Sequence, residues 1–120
     1  MSGENLSARG RANRRKGASW EREVARLLRL IWPDAKRGLQ TRGGTKEVPD
    51  VEGTPFYLEL KRGVRCNIKA ALEQAASSSD GRPPVAVTKE DAKRPIVSMY
   101  IEDWFNLLAA VYGVRDDSIL

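Results

Sequence analysis

The chain has no histidine and a single cysteine, Cys66, in 120 residues. The first absence removes Ser-His-Asp and Cys-His catalysis, histidine general bases and the usual His- or Cys-built zinc sites. The second rules out an internal disulfide and suits a reducing compartment, so a cytoplasmic location is expected. Cys66 reads as a packed thiol, since nothing in the composition activates it. Aromatic residues are sparse at 7%, and no aromatic motif of the kind that stacks RNA bases is present. No apolar run nears the ~18 residues that span a bilayer. The opening MSGENLSARGRANRRKG has no apolar centre for a secretory signal, and no membrane partner is expected. Hydrolytic chemistry here must therefore rest on carboxylates and lysine, and any metal must be a hard, oxygen-seeking ion.

Basic charge is present in excess. Lysine and arginine number 21 against 16 acids, a net +5, which suits a polyanionic partner when the charge is clustered. It is clustered: Arg9, Arg11, Arg14, Arg15 and Lys16 fall in one arm without an apolar period. That arm, residues 1–15, is expected to be disordered when free and to neutralise phosphates when bound. The remainder, residues 16–120, is long enough for one domain with a small core.

Apolar periodicity gives the elements. Trp20, Val24, Leu27, Leu28 and Ile31 form one helical stripe from Lys16 to about Leu30, ended by Pro33. PDAKRGLQTRGGTKE reads as a loop or a short twisted strand with Gly43-Gly44 at its tip. A strand over Glu47–Glu52, the turn EGTP and a strand over Phe56–Lys61 form a hairpin. An alanine-rich helix spans Asn67–Ser79, and SSSDGRPP breaks it. Val85-Ala86-Val87 and Ile96–Ile101 read as strands, and Asp103–Tyr112 as a helix with Trp104, Leu107, Leu108 and Val111 inward. The order predicts a small mixed α/β domain, a central sheet flanked by helices.

The stretch VPDVEGTPFYLELKRG carries the chemistry. Side chains alternate along a strand, so Phe56, Leu58 and Leu60 take the core face, and Glu59 and Lys61 project together from the other. Asp50 lies opposite Tyr57 or Glu59, and in either register it shares the Glu59 face. Two carboxylates and an ammonium then meet on one patch. Asp50 and Glu59 suit a divalent ion, helped by the backbone carbonyl of Leu60. Lys61 suits orienting water or offsetting transition-state charge. The bland alternative is a surface Glu-Lys pair, nearly neutral in energy. Chance alone yields such a pattern in about one chain in twenty.

PD, a short gap and ELK on the second strand of a hairpin resemble the PD-(D/E)XK nucleases, whose fold is restriction-endonuclease-like. KGASWEREVARLL, with Lys16-Gly17 and Glu21-Arg22-Glu23, then Arg37 and the later PPVAVTKED with Lys89, resembles the archaeal-type, Hjc-like Holliday junction resolvases and their phage relatives. The resemblance runs from about Lys16 to Trp104. The long basic arm and the apolar helix after Trp104 depart from the archaeal pattern and look like a phage or bacterial version.

The resemblance implies a Mg²⁺-dependent endonuclease, with Mn²⁺ as substitute, that resolves four-way junction DNA by paired symmetric nicks. Glu21, Asp50, Glu59 and Lys61 would be catalytic, with Glu21, Asp50, Glu59 and the Leu60 carbonyl at the metal. Helix geometry puts Glu21 about 20° beyond one edge of the apolar stripe and Glu23 about 40° beyond the other. The choice of Glu21 comes from the family pattern. Arg14, Arg15, Lys16, Arg22, Arg37, Arg42, Thr45, Lys46 and Lys89 would meet DNA, and Gln74 would be accessory. Paired nicks imply a homodimer, with the alanine-rich helix and the apolar C-terminal segment as candidate interfaces. Two rival readings remain: a nuclease of the same fold acting on flaps, mismatches or general duplex, and a DNA-binding module without catalysis.

Overall fold

Eight elements follow one another along the chain: α1 (Gly3–Leu28), β1 (Lys36–Arg37), β2 (Val51–Glu52), β3 (Tyr57–Gly63), α2 (Ile68–Ser78), β4 (Pro84–Glu90), β5 (Ile96–Met99) and α3 (Ile101–Tyr112). They come from a computed structural model that describes residues 3–39 and 47–115, with side chains from residue 8. Arg42, Thr45 and Lys46 lie outside the described residues. The strands form one mixed sheet in the order β1-β2-β3-β4-β5. Only β3 and β4 are parallel, joined through α2, and the other neighbours are antiparallel.

The strand β3 is central, and its first four residues are buried. One face of the β3–β4 pair presents Leu58, Leu60, Val85 and Val87 to Val24 and Ala25 of α1. The opposite face presents Ala86 to Ala71 and Leu72 of α2. Helices therefore cover both sides of the central pair. Each fully buried aliphatic side chain contributes roughly 1.5–3 kcal/mol, so this small core is the main source of stability. Small residues set the close approach of α2: Ala71 and Ala75 are buried on its sheet-facing side. Asn67 starts α2 by accepting the Ala70 N–H at 3.0 Å, an N-cap worth about 1 kcal/mol.

Three sequence expectations are revised. The helix expected from Lys16 begins at Gly3, so the basic segment expected to be disordered is continuous with α1. Arginine, alanine, leucine and lysine all favour helix, and no proline interrupts before Pro33. The strand expected over Glu47–Glu52 shortens to Val51–Glu52, since Pro49 offers no ladder donor. The inward stripe on the last helix is not inward. Trp104 is 47% exposed, Leu107 39% and Val111 66%, and no residue of α3 is buried. Periodicity reveals an apolar face but not what covers it.

Candidate active site

Register settles the position of Asp50. Val51 pairs with Leu58, so the next antiparallel step sets Asp50 opposite Glu59, one of the two expected partners. The Asp50 N–H donates to the Leu58 carbonyl at 2.8 Å. Its carboxylate turns along the strand, where Oδ2 accepts the Leu60 N–H at 2.7 Å. A strand residue directs its N–H and C=O to the same neighbour, so the Leu60 carbonyl also faces the Asp50 side.

Glycine makes this register possible. The Gly38 N–H donates to the Asp50 carbonyl at 2.9 Å, and a Cβ on Gly38 would sit 1.9 Å from the Pro49 carbonyl oxygen. At the other end of the β1–β2 pairing, Gly53 takes φ +85°, and a Cβ there would lie 2.4 Å from the Asp34 carbonyl oxygen. Only glycine fits at either place. The segment that carries β1 thus closes tightly on both ends of the segment bearing Asp50. Periodicity gives no hint of these roles; the signal available was a glycine beside an unusually short strand.

Four expected residues gather here. Glu59, 9% exposed, holds Lys61 Nζ at 3.2 Å through Oε1. Glu21, on α1, accepts from Arg37 Nε at 3.0 Å through Oε2. Burial pushes the Asp50 carboxyl up to about 6. The Leu60 N–H pulls it down, the charges of Glu59 and then Glu21 push it up, and Lys61 pulls it down. The charges of Glu59, Glu21 and Lys61 are thus all close enough to act on Asp50. Glu23 instead pairs with Arg26 at 2.7 Å in solvent, which separates it from the cluster.

Among the described residues no three acids stand ready-made in a ligating group. Each is engaged by an internal donor: Asp50 by Leu60, Glu59 by Lys61, Glu21 by Arg37. The donor set nevertheless fits a hard divalent cation, being carboxylate oxygen with a nearby carbonyl and no competing nitrogen or sulfur ligand. A cation would offset the Glu59 and Glu21 charges that add to burial in raising Asp50.

The basic residues form the surroundings. A cleft of about 620 Å³ is lined by Lys16, Arg22, Arg26, Arg29, Arg37, Arg62 and Lys89, with Glu23 its sole acid. Arg37 joins this cleft to the acid cluster through Glu21. Lys16 holds Asp91 at 3.1 Å, and Arg62 holds the same carboxylate. Lys89 Nζ donates to the Glu90 carbonyl at 2.8 Å. Arg14 and Arg15 are exposed on α1. Gln74 is exposed and shares a second depression, about 330 Å³, with Lys61, Arg62, Arg65, Cys66 and Asn67.

Arg26, Arg29 and Arg62 occupy no motif position in the sequence. A helical signal for two of them existed. Arg11, Arg15, Arg22, Arg26 and Arg29 fall within an arc of about 60° at 100° per residue, along about 27 Å of helix. Arg29 continues the helical turn, its N–H bonded to the Ala25 carbonyl at 3.0 Å. All five are exposed.

Compared with known proteins, the chain matches no family model, no curated protein and no solved structure.

Proposed function

We propose that this chain is a metal-dependent DNA endonuclease of the PD-(D/E)XK type, acting on four-way junctions. The observation that supports it most is the meeting of Asp50, Glu59, Lys61 and Glu21 in one unit beside a cleft lined by basic side chains. Asp50, Glu59 and Glu21, with the Leu60 carbonyl, would hold Mg²⁺ or Mn²⁺. When bound, that ion supplies polarisation of the scissile phosphate and a lowered pKa for the attacking water.

The chain's own residues do the rest. Glu59 fixes the Lys61 ammonium at 3.2 Å, so the lysine is already oriented to hold the attacking water or to offset charge growing on the phosphate. Arg37 sits between Glu21 and the basic cleft, where it can exchange its carboxylate for a phosphate. Arg22 and Lys89 extend the anion-binding wall, and Arg14, Arg15 and Lys16 carry it along α1. Phosphate contacts of this kind position DNA without reading bases. Junction specificity comes from the resemblance in the sequence, and paired nicks would require two copies related by a twofold axis.

A second reading has one observation in its favour. Every acid in the cluster is already engaged by a donor from the chain, an arrangement that also suits a DNA-binding module without catalysis. The discriminating experiment uses a labelled immobile four-way junction and the matching linear duplex, each with Mg²⁺ or EDTA. Symmetric, metal-dependent nicks in the junction alone are expected. Equal cutting of both substrates would make this a general nuclease, and binding without cutting would leave the module.

A further inference from the structure

The start of α2 turns a mixed stripe toward the end of β3. Asn67, Ala70, Ala71 and Gln74 recur at i, i+3, i+4 and i+7, the spacing that puts residues on one helical face. A stripe at this spacing is ordinarily apolar throughout. Here the middle positions are alanines, too small to fill the space before them, and the ends carry amides. The result is a depression of about 330 Å³ floored by Ala70 and Ala71. Its other wall is basic, with Lys61 and Arg62 from β3 and Arg65 from the turn that leads into α2. No carboxylate lines it.

The donors differ in how far they are already engaged. Arg65 is exposed and pairs with no acid among the described residues. Asn67 commits its Oδ1 to the Ala70 N–H at 3.0 Å, which leaves its amide nitrogen to donate outward. Gln74 is exposed, and its amide is a donor as well. Lys61 is held by Glu59 at 3.2 Å, and Arg62 by Asp91, so these two add positive field more than new hydrogen bonds. The Glu90 carboxylate, which accepts the Cys66 N–H at 2.8 Å, is answered by Lys93 at 3.7 Å. Arginine, lysine and side-chain amides around an acid-free space are the donor set that holds phosphate oxygens of a nucleic-acid backbone.

We propose that this depression is a second phosphate subsite, and that it holds a phosphodiester of the same strand whose scissile bond lies at Asp50 and Glu59. Lys61 ties the two places together, since its ammonium is bound to Glu59 and its side chain lines the depression. A strand drawn past Lys61 meets Arg65, Asn67 and Gln74 next. The sheet separates this subsite from the cleft on α1. Glu59 pairs with Ala86, whose side chain meets α2, and Lys61 shares that face. Arg22, Arg26 and Arg29 belong to α1, which covers the opposite face. Arg62 borders both depressions at the end of β3 and continues the basic path between them. A strand held on both faces cannot slide past the acid cluster, which orients its phosphate for attack. The identity of the anion rests on the nuclease reading; the existence of the subsite does not.

Cys66 lines the depression and is the only cysteine of the chain, so its alkylation by iodoacetamide reports on this place alone. In EDTA, where no strand is cut, a saturating four-way junction should slow that alkylation about tenfold, since thiol reactivity follows access. In the double variant Arg65→Ala with Gln74→Ala, the bound and free rates should become nearly equal. Binding isotherms of Arg65→Ala should give a slope of log K against log salt shallower by about 1, one phosphate contact fewer. Circular dichroism should stay unchanged, because Arg65 and Gln74 are exposed. Alkylation indifferent to DNA, protection that survives the double variant, or an unchanged slope would each overturn the subsite. So would protection by inorganic phosphate where the junction gives none, which would assign the depression to a free anion. A chain that protects Cys66 and leaves the junction uncut in Mg²⁺ keeps the subsite and loses the nuclease reading. One that cuts the junction with Cys66 unprotected does the reverse.

Discussion

Among the described residues Asp50 is the carboxyl that burial disturbs most, and it is the one the proposed chemistry needs most. Its carboxyl is lifted from 3.8 to about 6, first by burial and then by Glu59 and Glu21. Between those values the folded chain holds a proton that the unfolded chain has released. Stability therefore falls as pH rises from about 4 to about 6, and the full penalty applies above 6. The ceiling is about 3 kcal/mol, and partial solvent exposure reduces it to ~1–2 kcal/mol. Asp50→Asn should accordingly raise Tm by about 5 °C at pH 8 and leave it unchanged near pH 4. Thermal melts at the two pH values check this, and an equal effect at both would refute the electrostatic account. Mg²⁺ should stabilise the wild-type chain increasingly from pH 5.5 to 8, as Asp50 loses its proton, and should do nothing for Asp50→Asn. Calorimetric melts with and without Mg²⁺ read that difference directly.

Elements position these residues through contacts that no periodic pattern announces. The strand β3 and the gathering of Asp50 with Glu59 were legible, because alternation and one turn fix which side chains share a face. The pinning of Asp50 by Gly38 was not, since a close backbone approach leaves no mark except the glycine itself. Gly38→Ala should destabilise the fold by ~1–3 kcal/mol through displacement of the Pro49 carbonyl and should lower the cleavage rate. Denaturant unfolding beside a cleavage assay would show both, and an unaffected fold would mean that the β1–β2 approach is slack. In α1 the apolar stripe was legible and the basic one was overlooked, because the expected disorder of residues 1–15 hid its continuity. Arg22→Ala, Arg26→Ala and Arg29→Ala together should weaken DNA binding and flatten the slope of log K against log salt by about 2–3. Binding isotherms at several salt concentrations measure that slope, and an unchanged one would remove the stripe from the DNA surface.

At the scale of the whole molecule, the order of elements followed from the sequence because each has a distinct period and each break is marked by glycine, proline or serine, except the last, where Tyr100 alone separates β5 from α3. The packing of α3 did not follow. An apolar stripe on a helix calls for a partner surface and does not say whether the same chain provides it. The protein that results divides its labour by face. One side of α1 is basic, the acid cluster sits where α1 packs on the β2–β3 hairpin, and the apolar side of α3 is left exposed. Among the described residues no helix is long and apolar enough to cross a membrane.

The most direct test of the central claim compares the wild-type chain with Asp50→Asn on one labelled four-way junction, with cleavage in Mg²⁺ and binding in EDTA measured on the same preparations. Mg²⁺-dependent cutting by the wild-type chain is expected, with none by Asp50→Asn and equal junction binding by both. Cutting that survives in Asp50→Asn, or a wild-type chain that binds the junction and leaves it intact in Mg²⁺, would contradict that claim.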